Sequence, residues 1–221
     1  MKWLWKVERK FDKFAIHNLM MYVVTINFAV FLIDYLILPG FTSYLVFSPY
    51  LFLQGQIWRI VTFVFIPPSA GVIFILFALY FYYMIGTSLE NEWGTTKFNL
   101  YYFIGIIGTI IASFLTGSYA TATYVNLSLF LAFAQFFPDF QVLIFFILPV
   151  KMKYLAYINW AFFAYTIIFG NISLKVFAIV SLLNFFLFFY QDFIGGIKLK
   201  RQVYKNRKNF NNQIRQFKRR R

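Results

Sequence analysis

The sequence predicts an all-α integral membrane protein, a bundle of six transmembrane helices with a long interfacial first loop. Three observations carry this reading. The 221 residues are 61% hydrophobic and 24% aromatic, with a mean hydropathy of +0.68; a soluble domain is nearer about 45–50% apolar. A soluble fold of this length could not hide so much apolar surface, because much of any folded surface faces water. The apolar runs are also continuous and close to the roughly 20 residues that cross a bilayer as helix. A membrane barrel, the other architecture that satisfies its backbone in lipid, would alternate apolar and polar residues. Finally, lysine and arginine fall almost entirely on one side of the spans.

Taken in chain order, residues 1–18 form a basic segment with Lys2, Lys6, Arg9, Lys10 and Lys13. No small-residue cleavage site follows, so the first apolar run reads as a retained anchor rather than a signal peptide. The membrane domain covers residues 19–190, with spans at 19–38, 69–89, 98–115, 123–137, 154–169 and 174–190. The fourth is short and carries Asn126 and Ser128. The run 140–149 lies between Pro138 and Pro149 and is too short to cross, so an interfacial or re-entrant piece is expected. With six spans, nineteen of the 21 Lys and Arg lie on one side, leaving Arg59 and Lys175 on the other. The positive-inside rule then sets both termini in the cytoplasm. A bacterial plasma membrane fits first, and an endoplasmic reticulum membrane is also allowed.

The tail, 191–221, is either a solvated positive anchor or an amphipathic helix on anionic lipid. In the second case Lys198, Lys200, Arg201, Lys205, Arg207 and Lys208 bind the membrane surface. Nucleic acid is not an expected partner, since no recognition module accompanies the charge. Cysteine is absent and His17 is the single histidine, so no disulfide, metal site or cofactor is expected.

The loop at 39–68 is apolar and aromatic, which suits the membrane interface. Within it, Trp58-Arg59 is followed by Thr62 and Phe63. Arg59 keeps its charge wet by snorkelling or pairs with an acid, Asp34 being a candidate. Gly86, Glu90, Gly94 and Phe98 recur every four residues and would form one helical stripe. The two glycines would let a neighbouring backbone approach closely, and Glu90 would tie the second span to the first loop. Phe137-Pro138 and the stretch 148–153 form a third motif. In order, and at the right spans, these three resemble the rhomboid superfamily, over about residues 20–190; the Trp-Arg loop and six-helix core are also similar to those of Derlins.

That resemblance implies a Gly-x-Ser-Gly at the start of the fourth helix and a histidine on the sixth, where the serine attacks a peptide carbonyl and the histidine takes its proton. Neither is present. The fourth span opens Ala122-Thr123-Tyr124-Val125-Asn126-Leu127-Ser128, and the sixth reads Ser181-Leu182-Leu183-Asn184-Phe185-Phe186. The expectation is a pseudoprotease without catalytic residues. Asn126, Ser128, Ser181 and Asn184 then have two readings: interhelical hydrogen bonding, or a polar cavity for a client helix. Asn27 and Asp34 on the first span pose the same choice. As a function, the resemblance implies a non-catalytic protein that binds or handles the transmembrane helices of client proteins. The alternatives are an intramembrane serine protease using an atypical Ser128 or Ser181, and an insertase-like channel or transporter.

Overall fold

The computed structural model describes residues 11–68, 71–144 and 148–190, and it is mostly helical. Helix α1 runs Leu19–Leu32 and continues through a wider turn at Ile33–Ile37. The first loop folds into short pieces: a 3-10 turn at Phe41–Tyr44, α2 at Pro49–Leu53, α3 at Arg59–Thr62 and a second 3-10 turn at Phe63–Phe65. The remaining helices are α4 Val72–Trp93, α5 Thr95–Thr116, α6 Thr123–Phe136, α7 Met152–Phe169 and α8 Ile172–Tyr190. Helices thus stand at all six expected places among the described residues. The segments Asp12–Ile37, Val72–Trp93, Thr95–Thr116 and Ile172–Tyr190 are long and apolar enough to cross a membrane. At 14 residues, α6 falls short of the roughly 20 that an average bilayer needs. Residues 1–185 form one compact unit; of the second, 186–221, the described part is the end of α8 up to Tyr190. The basic tail and its candidate lipid-binding residues, Lys198 to Lys208, lie outside the described residues.

The run at 140–149 is a β-hairpin. β1, Gln141–Ile144, pairs antiparallel with β2, Leu148–Lys151, with Gln141 opposite Lys151 and Ile144 opposite Leu148. Both strands of a two-stranded ribbon are edges, so Pro149 is tolerated despite its missing N–H. Strand pairing satisfies the backbone of this short apolar segment.

The Gly86-to-Phe98 stripe is not one helical face. Helix α4 ends at Trp93, and Gly94 turns the chain into α5 with φ of +81° and ψ of 155°. A side chain added at Gly94 would meet nothing within 4 Å. Gly94 is therefore required by backbone conformation rather than by close approach. A Cβ at Gly86 would fall on Met20 Cβ and Cγ, so α1 and α4 pack closely at this point. The centre of the bundle holds the fully buried rings of Phe98, Tyr101, Tyr102, Phe133 and Phe163. Ile107, Ile111 and Leu115 of α5, Ile73 and Tyr80 of α4, and Tyr165 and Ile168 of α7 are exposed. An apolar exterior around an aromatic interior is what lipid as solvent allows.

Candidate functional site

Three groups of polar side chains are built into this apolar bundle. The first organises the first loop. The carbonyls of residues 43–46 turn toward the segment that carries Trp58 and Arg59. Arg59 Nη1 donates to Ser43 O at 2.9 Å and Val46 O at 2.7 Å, and its Nε donates to Gln56 Oε1 at 2.7 Å. Trp58 Nε1 donates to Tyr44 O at 3.4 Å, and Thr62 Oγ1 donates to Leu45 O at 3.1 Å. Four consecutive carbonyls are thus satisfied by three side chains one turn or less apart. Arg59 is only 4% exposed and has no ion pair among the described residues. Asp34 does not pair with it; Asp34 Oδ1 accepts from the Thr42 N–H at 2.8 Å instead. Carbonyl dipoles, rather than a carboxylate, surround the guanidinium. Asn27 has a similar structural task, its Nδ2 donating to Val23 O at 2.9 Å and Val64 O at 3.3 Å.

The second group lies at the opposite end of α4. Glu90 Oε1 accepts from the Asn18 N–H at 2.9 Å and from Thr95 Oγ1 at 3.0 Å. Glu90 therefore ties α4 to the start of α1, not to the first loop, which belongs to the other helix ends. Thr95 Oγ1 also lies 3.0 Å from His17 Nδ1. Its one proton goes to Glu90, so His17 must carry a proton on Nδ1 and donate it. This is the one hydroxyl–imidazole pair among the described residues, and its polarity is opposite to that of a base activating a nucleophile. Asn99 completes the clasp, exchanging hydrogen bonds with the backbone of Ile16 at 3.1 and 3.0 Å.

The third group joins α5, α6 and α8. The Tyr101 hydroxyl donates to Ser128 O at 2.9 Å and also meets Ser128 Oγ. Asn184 Nδ2 donates to Tyr101 O at 3.2 Å, against Gly105, where a Cβ would sit 3.1 Å from that nitrogen. Ser181 Oγ donates to Tyr124 O at 2.6 Å. Ser128, Ser181 and Asn184 are all buried. Of the four residues expected to line a polar cavity, Ser128 and Asn184 meet through Tyr101, Ser181 bonds the first turn of α6, and Asn126 stands apart with an unpartnered amide oxygen. Ser128, Ser181 and Asn184 each bond one helix to another. Elsewhere lies an apolar groove of about 340 Å³, walled by Leu19, Val23 and Ile26 of α1, Ile60 and Val64 of the first loop, and Phe103 of α5.

Residues 54–197, well over half of the chain, match the sequence profile of the Rhomboid domain. The chain belongs to the rhomboid family. Comparison with curated proteins gives no match. This rhomboid is thereby an integral, multi-pass membrane protein. Its Trp58-Arg59, Gly86 and Glu90 each occupy a definite structural post, the loop anchor, the close helix contact and the clasp. Tyr101 had not been singled out from sequence, although a tyrosine inside an apolar span is a fair sign that its hydroxyl has a partner. Beyond the spans, Asp139 receives Lys153 at 3.0 Å and Lys151 at 3.3 Å across the base of the hairpin. Those hydrogen bonds, that of Lys153 first, hold the Asp139 carboxyl below the usual carboxylate range, and Asp139 in turn raises Lys153.

Proposed function

We propose that this rhomboid is a pseudoprotease that holds or redirects the transmembrane helices of client proteins. One observation carries the proposal: the two candidate nucleophiles have structural occupations. Ser128 is sealed under Tyr101, and Ser181 gives its proton to the Tyr124 carbonyl. A serine needs a neighbouring base to attack at neutral pH, and the chain's one histidine is bonded to Thr95. What persists is a scaffold with an ordered, aromatic first loop whose Trp58 is half exposed. In this reading the chain crosses the bilayer six times, residues 1–18 and 191–221 flank the membrane domain in the cytoplasm, and Lys198, Lys200, Arg201, Lys205, Arg207 and Lys208 rest on anionic lipid.

Activity-based labelling separates the classes without a known substrate. A fluorophosphonate probe applied to the purified full chain is expected to leave it unlabelled. Labelling that disappears in Ser128→Ala or Ser181→Ala would make the protein an intramembrane serine protease. A photo-crosslinker at Trp58 should trap membrane-spanning segments in native membranes. Recovery of soluble proteins alone would defeat the client reading.

A further inference from the structure

The apolar groove beside α1 has a definite depth. Leu19, Val23 and Ile26 line it from α1, Phe103 and Ile106 from α5, and Ile60 from the first loop. Leu19 to Ile26 covers about 10 Å of helix axis. One residue further, Asn27 Nδ2 donates to Val64 O at 3.3 Å, so the first loop closes onto α1 there, although the helical turns run on to Ile37. The groove's other end is at Ile16, whose backbone bonds Asn99 near the start of α5. The opening therefore spans one leaflet and stops. A client helix needs about 30 Å of apolar length, and the groove offers a third to a half of that.

At the rim, Tyr22 and Val61 are 59% and 58% exposed, so the groove is continuous with the exterior that faces lipid. An empty gap of this kind forfeits dispersion contacts along its lining. Charge stands at the Ile16 end. The Phe11 ring packs on Phe103 at 6.1 Å, and between Phe11 and Ile16 the turn Asp12–Phe14 carries Lys13, which is exposed and has no ion pair among the described residues. Its acidic neighbour is engaged, with Thr96 Oγ1 donating to Asp12 Oδ1 at 2.5 Å.

We propose that this groove holds one acyl chain of an anionic phospholipid from the leaflet on the Leu19 side, with the headgroup phosphate at Lys13. The first loop sets the depth to which the chain can enter. This assignment is independent of whether clients bind.

Native mass spectrometry tests it. The full chain is moved from vesicles of equal phosphatidylglycerol and phosphatidylcholine into mild detergent, which strips the annulus and leaves site-bound lipid. One retained phospholipid per chain is expected, with phosphatidylglycerol favoured by about fivefold, as a single lysine near the surface supplies. Ile26→Trp and Val61→Trp, which fill the groove from α1 and from the first loop, should each lower retention at least about tenfold. Ile111→Trp, on an exposed part of α5 outside the groove, should not. Lys13→Gln should erase the headgroup preference. A wild-type chain without retained phospholipid would overturn the proposal, as would retention that survives both groove variants or a preference unchanged in Lys13→Gln. A lipid-free dimer split by Ile26→Trp would instead give the groove to a second copy, and a transmembrane peptide held in place of lipid would give it to a client. Val61 sits on the exposed rim, so its variant decides the matter even where Ile26→Trp fails to fold.

Discussion

Arg59 offers the most direct test of how the first loop is held. Its guanidinium makes three bonds, to Gln56 Oε1, Ser43 O and Val46 O, at 2.7, 2.9 and 2.7 Å. Lysine keeps the charge and three donors on one nitrogen, so Arg59→Lys can retain the two bonds that Nη1 makes and loses the Nε bond to Gln56. Each bond from a charged donor contributes roughly 1.5–3 kcal/mol, which is the loss expected for Arg59→Lys. Arg59→Met loses all three bonds; removal of a buried cation and interfacial water reaching the freed carbonyls bring its net loss to about 2–4 kcal/mol. Hydrogen exchange over residues 45–47 reads the effect locally. Their amides are bonded to Thr42 O and Ala120 O. At about 1.4 kcal/mol per tenfold, protection there should fall by roughly thirtyfold or more in Arg59→Met, with the α5 core unchanged. A change under about threefold would show that the carbonyl cluster is not what orders the loop.

Two further outcomes follow from packing and charge. Gly86→Ala should cost about 1–3 kcal/mol of unfolding stability, because the new Cβ displaces Met20 Cβ and Cγ. Met20→Ala in the same chain should relieve part of that, and a neutral Gly86→Ala in detergent unfolding would contradict the close packing described. Asp139 predicts a pH effect on the hairpin. Its folded pKa is depressed by Lys153 and Lys151, so its contribution is complete above the ordinary Asp value of about 3.9. As the pH falls below that value the contribution declines, and it is lost once the pH passes the lowered folded pKa. Proteolytic nicking at the hairpin should therefore rise only on that acid limb in wild type, and Asp139→Asn should be nicked equally across it.

Much of this fold was legible because lipid leaves few choices. Continuous apolar runs located six helices, and basic residues at their ends marked where they stop. Trp58-Arg59 and Gly86 were readable because each has a task that few residue types can perform. Glu90 and Gly94 were misplaced for one reason: a four-residue spacing is read as helical, and it passed silently through the break after Trp93. Apolar content alone did not reveal the pairing of Gln141–Ile144 with Leu148–Lys151, since pairing between strands is invisible to composition. Tyr101 and Tyr102 escaped notice because a tyrosine in a span is equally at home in the interface. Only the packed interior distinguishes the hydroxyl that meets Ser128 from the one beside it that does not. The separation of Asn126 from Ser128, two residues away, is likewise a matter of helix face, which the weak periodicity of an all-apolar helix does not fix.

Phe47 and Ala120 exchange a pair of backbone hydrogen bonds, at 3.3 and 2.9 Å. That small bridge stitches the first loop to the strip of chain just before α6, two residues from Ala122. The next turn carries the Tyr124 carbonyl, which Ser181 of α8 grips in its turn. Any outward displacement of the loop accordingly pulls on α6 at its very root and, through Ser181, on α8. Disturbance at the rim of the molecule has a short mechanical route to the seam between its later helices.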